Sequence, residues 1–187
     1  RQRQMCIRDS VRALLAGRLT SGMVKLITGV LAAVTVASMV ESAVGWIVAG
    51  ALAVASWANV GNLFDLGPGR AVKGCLPVAL ALVVAFPDRL APLALALGAL
   101  AGVARADLGE RVMLGDAGAN PLGALVGFAA LASGNHSVLV VIMLTGLALN
   151  LAAEFVSFSQ VIKSNRILRR LDLMGATSHR AEFLGDK

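Results

Sequence analysis

Charged residues are scarce in this chain. Asp, Glu, Lys and Arg make up 15% of its 187 residues, whereas hydrophobic residues make up 57%. A soluble domain is usually about 25% charged and about 45–50% apolar. This deficit of charge, together with repeated apolar runs of nearly bilayer-spanning length, predicts a polytopic membrane protein. A soluble helical bundle with a rich apolar core is the minor alternative.

Cysteine is also rare, since Cys6 and Cys75 are the only two. Their spacing fits neither a metal site nor a disulfide framework, so we interpret them as small unpaired residues. No segment combines a basic start, a short apolar core and a small-residue cleavage site, the pattern of a signal peptide. The net charge of +6 would suggest nucleic acid in a soluble protein, but the positive-inside rule explains it better here.

The first ten residues, RQRQMCIRDS, share no pattern with the rest of the chain. The string MCIRDS resembles translated sequencing-adapter read-through. We therefore expect residues 1–10 to be a non-native artefact and exclude them from the fold prediction. On this interpretation Arg1 is not the natural start and the chain is a C-terminal fragment.

Six apolar segments predict an all-α transmembrane bundle over residues 11–156, because backbone in lipid must satisfy its own polar groups. Lys and Arg collect on one side of these spans, and the opposite loops hold only Arg89. Both termini are therefore predicted to be cytoplasmic in the plasma (inner) membrane. Residues 157–187 form the predicted cytoplasmic tail, with either an amphipathic helix on the inner leaflet or a plain solvated helix. The predicted spans are 22–40, 43–60, 72–86, 90–104, 120–134 and 137–156.

The stretch NVGNLFDLGPGRAVK gathers polar groups on the predicted cytoplasmic side. Asn59 and Asn62 share a helix face, Asp65 follows, and Arg70 and Lys73 begin the next helix after a Gly-Pro-Gly turn. Such groups at the membrane edge are costly unless they bind a ligand or satisfy one another. An ordinary interfacial loop, with its cations facing lipid phosphates, is the alternative.

A second polar stretch reads VMLGDAGANPLG. Gly115 and Gly118 flank Asp116 and would permit close backbone approach, Asn120 suits a helix N-cap, and Pro121 suits the first helical position. The amides of that helix N-terminus would attract a phosphate, and Asp116 could hold Mg²⁺ beside it. The alternative is a capped helix whose dipole Asp116 complements.

These stretches resemble, in this order, motifs of the polyprenyl-phosphate N-acetylhexosamine-1-phosphate transferases, which include the phospho-N-acetylmuramoyl-pentapeptide transferase of peptidoglycan synthesis. NVGNLFD resembles the family's N-x-x-N-L-x-D loop, and MLGDAGANPLG resembles its M-G-D-x-G-S-x-x-L-G loop. EFVSFSQV, with Glu154, Ser157 and Gln160, resembles its E-x-x-S-x-x-x-Q helix exit, with one residue fewer between the serine and the glutamine. Lys25 stands where the family has a lysine opening a helix. The resemblance covers roughly residues 18–173.

The resemblance implies a cell-wall glycosyltransferase of the UDP-sugar type. A polyprenyl phosphate would attack the β-phosphate of a UDP-sugar on the cytoplasmic face and release UMP. Mg²⁺ is the implied cofactor and Asp116 its implied ligand, while Asn62 and Asp65 would line the nucleotide and metal site. Nucleic acid is not an expected partner, and a homodimer is left open. The predicted catalytic residues are Lys25, Asp65 and Asp116; the predicted substrate-binding residues are Asn59, Asn62, Arg70, Lys73, Gly118 and Asn120.

The chain departs from the family in three places. It lacks the adjacent Asp-Asp pair, which we expect upstream of Arg1, the second acid of the first loop, and the late histidine cluster. We therefore expect these residues alone to be inactive. A non-catalytic membrane scaffold that binds a lipid phosphate or a cell-wall partner is the alternative. A small transporter is disfavoured because the middles of the spans carry almost no ionisable residue.

Overall fold

The computed structural model describes residues 21–174, apart from the side chains of residues 21, 22 and 26. The predicted non-native segment 1–10, the end of the predicted tail and the isolated His179 lie outside this range. The described residues form nine helices and no strand. They are α1 (Ser21–Val40), α2 (Val44–Phe64), α3 (Arg70–Ala85), α4 (Pro87–Leu90), α5 (Leu93–Leu108), α6 (Gly115–Ala132), α7 (His136–Phe155), α8 (Phe158–Ser164) and α9 (Arg166–Leu173).

The predicted all-α architecture is confirmed for residues 21–174. Three segments are long and apolar enough to cross a bilayer, namely Met23–Val40 in α1, Val44–Phe64 in α2 and His136–Phe155 in α7. Large apolar side chains such as Met39, Leu95 and Phe155 are each more than 80% exposed. Because water penalises apolar surface of this extent, the fold indicates association with a membrane. The six-span count and the cytoplasmic placement of both termini stay predictions.

Helix α2 lies at the centre of the bundle and packs most extensively against α6. The two backbones meet along a glycine seam. A Cβ atom on Gly123 would overlap the Trp57 carbonyl oxygen, and one on Gly127 would lie 2.5 Å from the Ala53 carbonyl oxygen. Small residues four apart allow this close approach, which is a common way for helices to pack in lipid, where hydrophobic burial gives little driving force.

Polar contacts join α2 to α7. The Trp57 indole is 4% exposed and donates a hydrogen bond of 2.7 Å to the Ile142 carbonyl oxygen. Asn150 donates to the carbonyl oxygens of Ser56, at 2.9 Å, and Gly146, at 2.7 Å. These bonds satisfy groups that would be costly to leave unpaired in an apolar environment.

Long-range contacts define two ends of the bundle. At one end, Glu41 after α1 lies 3.1 Å from His136 at the start of α7, and His136 stacks on the Trp46 ring. At the other end, Lys25 near the start of α1 meets Asp116 at the start of α6. Helix α2 ends and α3 begins at this second end, so the polar stretch 59–73 lies there. The stretch 112–123 lies there too, because it contains Asp116.

The predicted tail helix is two helices rather than one. Helix α8 ends at Ser164, and Asn165 caps α9 by accepting hydrogen bonds from the amides of Ile167 and Leu168. The expectation of one continuous amphipathic helix is therefore wrong. An asparagine side chain competes for the backbone amides that would continue a helix, which explains the break.

Candidate functional site

Helix α6 begins six residues before Pro121, the predicted first helical position. Its first residue is Gly115, with a backbone φ of +60°, so Asn120 is not the N-cap and Pro121 lies inside the helix. Gly115 can adopt this left-handed conformation without the steric cost that a Cβ atom would add. Asp116 consequently sits in the first turn, where a carboxylate complements the helix dipole. The free amides of the helix N-terminus are those beside Asp116.

Lys25 and Asp116, two of the predicted catalytic residues, form an ion pair. Lys25 Nζ lies 2.6 Å from Asp116 Oδ2, and the two side chains are 68% and 53% exposed. A pair this open to solvent contributes little to stability. Because both side chains are more than half exposed, both charges are accessible to a ligand.

Asp65, the third predicted catalytic residue, belongs to an acidic cluster that we define as Asp65, Asp107 and Asp116. Burial raises the pKa of Asp65 above its ordinary value, and the negative charges of Asp107 and Asp116 raise it further. The backbone amide of Gly115 lowers the pKa of Asp65 in the opposite direction. The negative charges that act on Asp65 therefore come from the end of α5, at Asp107, and from the first turn of α6, at Asp116.

Asp107 is the member of the cluster that sequence reasoning missed. It is fully buried at the end of α5, and its Oδ2 accepts a hydrogen bond of 3.0 Å from the Gly69 amide. Burial raises the pKa of Asp107, while the amides of Gly69 and Leu114 and the charge of Lys73 lower it. Asp107 thereby connects the loop that carries Asp65 to the loop that precedes Asp116.

The Asp107 carboxylate is only partly satisfied. Within residues 21–174, its Oδ1 has no hydrogen-bond partner. A buried carboxylate oxygen in this state is costly and is typical of functional sites. The sequence offered one signal for this residue, because Asp107 is an acid at the end of an apolar run, in the segment ARADL.

The acidic cluster does not by itself make a metal centre. Among the described residues, no group of three or more His, Cys, Asp or Glu side chains is arranged to hold a metal ion. Mg²⁺ takes oxygen ligands, so the chemistry of the three carboxylates suits it but their arrangement does not complete a site.

Two of the three predicted substrate-binding asparagines, Asn59 and Asn62, differ in their surroundings. Asn59 donates a short hydrogen bond to Asn150 Oδ1 and so belongs to the contact between α2 and α7. Asn62 lies one turn nearer the acidic cluster and is half-buried, and its side chain makes no hydrogen bond with residues 21–174. Asn150 was also missed, although it is the single amide in the apolar run 137–156.

The tail holds the two predicted cations of α3. Arg70 Nε and Nη2 lie 2.6 Å and 2.8 Å from the two carboxylate oxygens of Asp172 in α9, and Nη1 donates to Ser159 Oγ at 3.1 Å. Lys73 Nζ donates to the Asp172 carbonyl oxygen at 2.7 Å. The side chains of Arg70 and Asp172 are 9% and 6% exposed, so this ion pair is buried.

The remaining predicted residues lie around these groups. Gly118 packs under Leu114, whose side chain a Cβ atom would approach to 2.8 Å. Asn120 is half-buried in α6, five residues after its start. Glu154 is exposed in the last turn of α7, and the exposed Ser157 and Gln160 lie at the start of the tail.

No known family model matches the chain. No curated protein and no solved structure matches it either.

Proposed function

We propose that the chain is part of a membrane-bound sugar-phosphate transferase that moves a sugar 1-phosphate from a UDP-sugar to a polyprenyl phosphate and releases UMP. The single observation that carries the proposal is the meeting of Lys25, Asp65 and Asp116 at one end of the bundle. These residues come from three separate motifs of the family that the sequence resembles. Their convergence is what a shared active site requires.

The charges at this end suit a diphosphate. Phosphoryl transfer depends mainly on positioning and on neutralising negative charge. Lys25 offers an exposed ammonium group, and the first turn of α6 offers backbone amides at the positive end of the helix dipole. Asn62 offers an amide with which to orient the nucleotide. In this proposal Lys25 leaves Asp116 and binds a substrate phosphate when substrate arrives.

Mg²⁺ is part of the proposal, with Asp116 as one ligand. When bound, the ion would neutralise part of the diphosphate charge. No group of three His, Cys, Asp or Glu residues within 21–174 can hold a metal, so in this proposal substrate phosphates and water complete the coordination of the ion.

A non-catalytic scaffold of the same fold is the second candidate. It is favoured by the occupation of Arg70 and Lys73 by the tail, since internal partners replace a substrate at these two cations. In that case the protein would bind a lipid phosphate or a cell-wall partner without releasing UMP.

The test is UMP release by the full-length protein in lipid nanodiscs with Mg²⁺. We expect Asp116→Asn to lower transfer by at least about a hundredfold, the scale of losing one charge-stabilising group. Asp88→Asn is the matched control, because Asp88 is an exposed acid in α4, away from the cluster. Equal activity of the two variants would contradict the role of Asp116. Absence of UMP release from the wild type with a panel of UDP-sugars would favour the scaffold.

A further inference from the structure

The tail helices α8 and α9 lie beside the ends of two helices that are long and apolar enough to cross a bilayer. Helix α7 ends at Phe155, and α8 begins at Phe158 after a break of two residues. The Phe158 ring lies 5.7 Å from the ring of Phe64, the last residue of α2. A segment attached to the ends of two such helices lies at the level where lipid chains meet their headgroups.

One buried ion pair fixes how α9 is rotated about its own axis. The Asp172 carboxylate is buried and accepts hydrogen bonds of 2.6 Å and 2.8 Å from Arg70 in α3. The same guanidinium group donates to Ser159 in α8, at 3.1 Å. The side of α9 that carries Asp172 therefore faces the bundle, and the opposite side faces away from it.

The side of α9 that faces away carries Arg166, Ile167, Arg170 and Met174, which we call the outer face. Residues at these spacings share one side of a helix, and they lie roughly half a turn from Asp172. Ile167 and Met174 are 71% and 62% exposed, and both arginines are exposed as well. The outer face thus combines apolar side chains with cations.

The same ion pair removes the acid of the tail from its surface. Asp172 is the only Asp or Glu between residues 156 and 174, and it is buried against Arg70. The cations of this segment outside the ion pair are Lys163, Arg166, Arg169 and Arg170. A short helix with exposed apolar side chains beside cations, and with no exposed acid, is typical of a segment that rests on an anionic leaflet.

We propose that the outer face of α9 binds the surface of an anionic phospholipid leaflet, with Ile167 and Met174 among the headgroups and with Arg166 and Arg170 on the lipid phosphates. The break of only two residues after α7 favours a leaflet over an acidic protein as the partner. Of the two predicted arrangements of the tail, the inference selects the one on the leaflet. The partner is the bulk lipid, so the inference holds for a transferase and for a scaffold alike.

The experiment places one environment-sensitive fluorophore on the outer face. The full chain with Cys6→Ser and Ile167→Cys takes a single label, because Cys75 is fully buried. One labelled chain per nanodisc is compared in phosphatidylcholine alone and in phosphatidylcholine with phosphatidylglycerol, each with a lipid that is spin-labelled near its headgroup as quencher. We expect quenching with phosphatidylglycerol and its loss at about 1 M salt, which screens the charges. Met174→Cys, which leaves Ile167 in place, should give the same result.

Three results would overturn the proposal. Equal quenching in phosphatidylcholine alone, or quenching that salt does not change, would show that lipid charge does not attract the tail. Absence of quenching from both lipids would show that the outer face does not meet the leaflet. Quenching that appears only when two chains share a nanodisc would identify a second copy as the partner instead.

Substitution of the cations tests the role of the outer face directly. Arg166→Gln and Arg170→Gln should each lower the ratio of docked to undocked tail about fivefold, the effect of one cation near an anionic membrane. Arg105→Gln is the matched control, because Arg105 is an exposed cation in the last turn of α5, outside the tail. We expect that control to leave the ratio unchanged. Equal effects of all three substitutions would assign the attraction to net charge and overturn binding by the outer face.

Discussion

Lys25 Nζ lies 2.6 Å from Asp116 Oδ2, although 91 residues separate them in the chain. The contact brings the start of α1 to the start of α6 and places two exposed opposite charges at one point. An isolated pair of this kind is a weak stabilising element, so its position next to Asp65 carries more meaning than its strength.

Breaking this ion pair should barely change stability. We expect Lys25→Met to alter the free energy of unfolding by less than about 1 kcal/mol, because both partners are largely solvent-exposed. The same variant should lose most of the transfer activity if Lys25 binds a substrate phosphate. Denaturant titration in micelles and the UMP assay on one preparation compare the two effects. A large loss of stability would identify the pair as structural instead.

Asp107 should make stability fall as the pH rises. Its pKa is raised in the folded state, so the folded chain binds more protons than the unfolded chain between the ordinary value of 3.8 and the raised value. The free energy of unfolding therefore decreases through that interval. Asp107→Asn keeps an oxygen acceptor for the Gly69 amide and removes the titration. We expect this variant to show a shallower decrease and to be more stable than the wild type at pH 7.

The check on Asp107 is thermal unfolding, followed by circular dichroism, from pH 4 to pH 7. Asp88→Asn, at an exposed acid in α4, is the control. Parallel curves for wild type and Asp107→Asn would show that the buried carboxyl does not control the pH dependence. Asp107→Ala, which also removes the acceptor, should be less stable than Asp107→Asn at every pH.

The glycine seam should not tolerate a methyl group. Gly123→Ala places a Cβ atom against the Trp57 carbonyl oxygen and should destabilise the bundle by about 1–3 kcal/mol, because α2 and α6 must move apart. Gly98→Ala is the matched control, since a Cβ atom there meets nothing within 4 Å. That change should stay within about 1 kcal/mol of wild type. Equal stability of both variants would contradict the close backbone packing.

We expect Asn59 to have a structural role and Asn62 to have a role in binding. Asn59→Ala removes the hydrogen bond to Asn150 and should cost about 0.6 kcal/mol, a typical value for interhelical bonds in membranes. Asn62→Ala should leave stability unchanged and weaken UDP-sugar binding. Calorimetric titration with the UDP-sugar and denaturant titration of both variants distinguish these outcomes. Weaker nucleotide binding by Asn59→Ala alone would reverse the assignment.

Apolar composition and the length of the apolar runs were sufficient to predict helices and association with a membrane. In a chain with so little charge, only internally bonded backbone can be stable in lipid, so the helical class follows without knowledge of packing. The positions of Asp65, Arg70 and Asp116 at element ends were also visible, because glycine and proline punctuate the loops around them. Local rules failed at Asn120 and Pro121, where Gly115 already starts the helix in a left-handed conformation.

Sequence by itself determined that this protein is helical and apolar, and which polar residues stand near helix ends. Only the tertiary structure decided which of those residues meet. Lys25 with Asp116, Asp107 with Gly69, and Arg70 with Asp172 are separated by 91, 38 and 102 residues, respectively. Helical periodicity relates residues three or four apart and carries no information about such distances. Packing along the glycine seam and the turn at Gly69 brings these groups together, and that arrangement creates both the acidic cluster and the buried ion pair between Arg70 and Asp172.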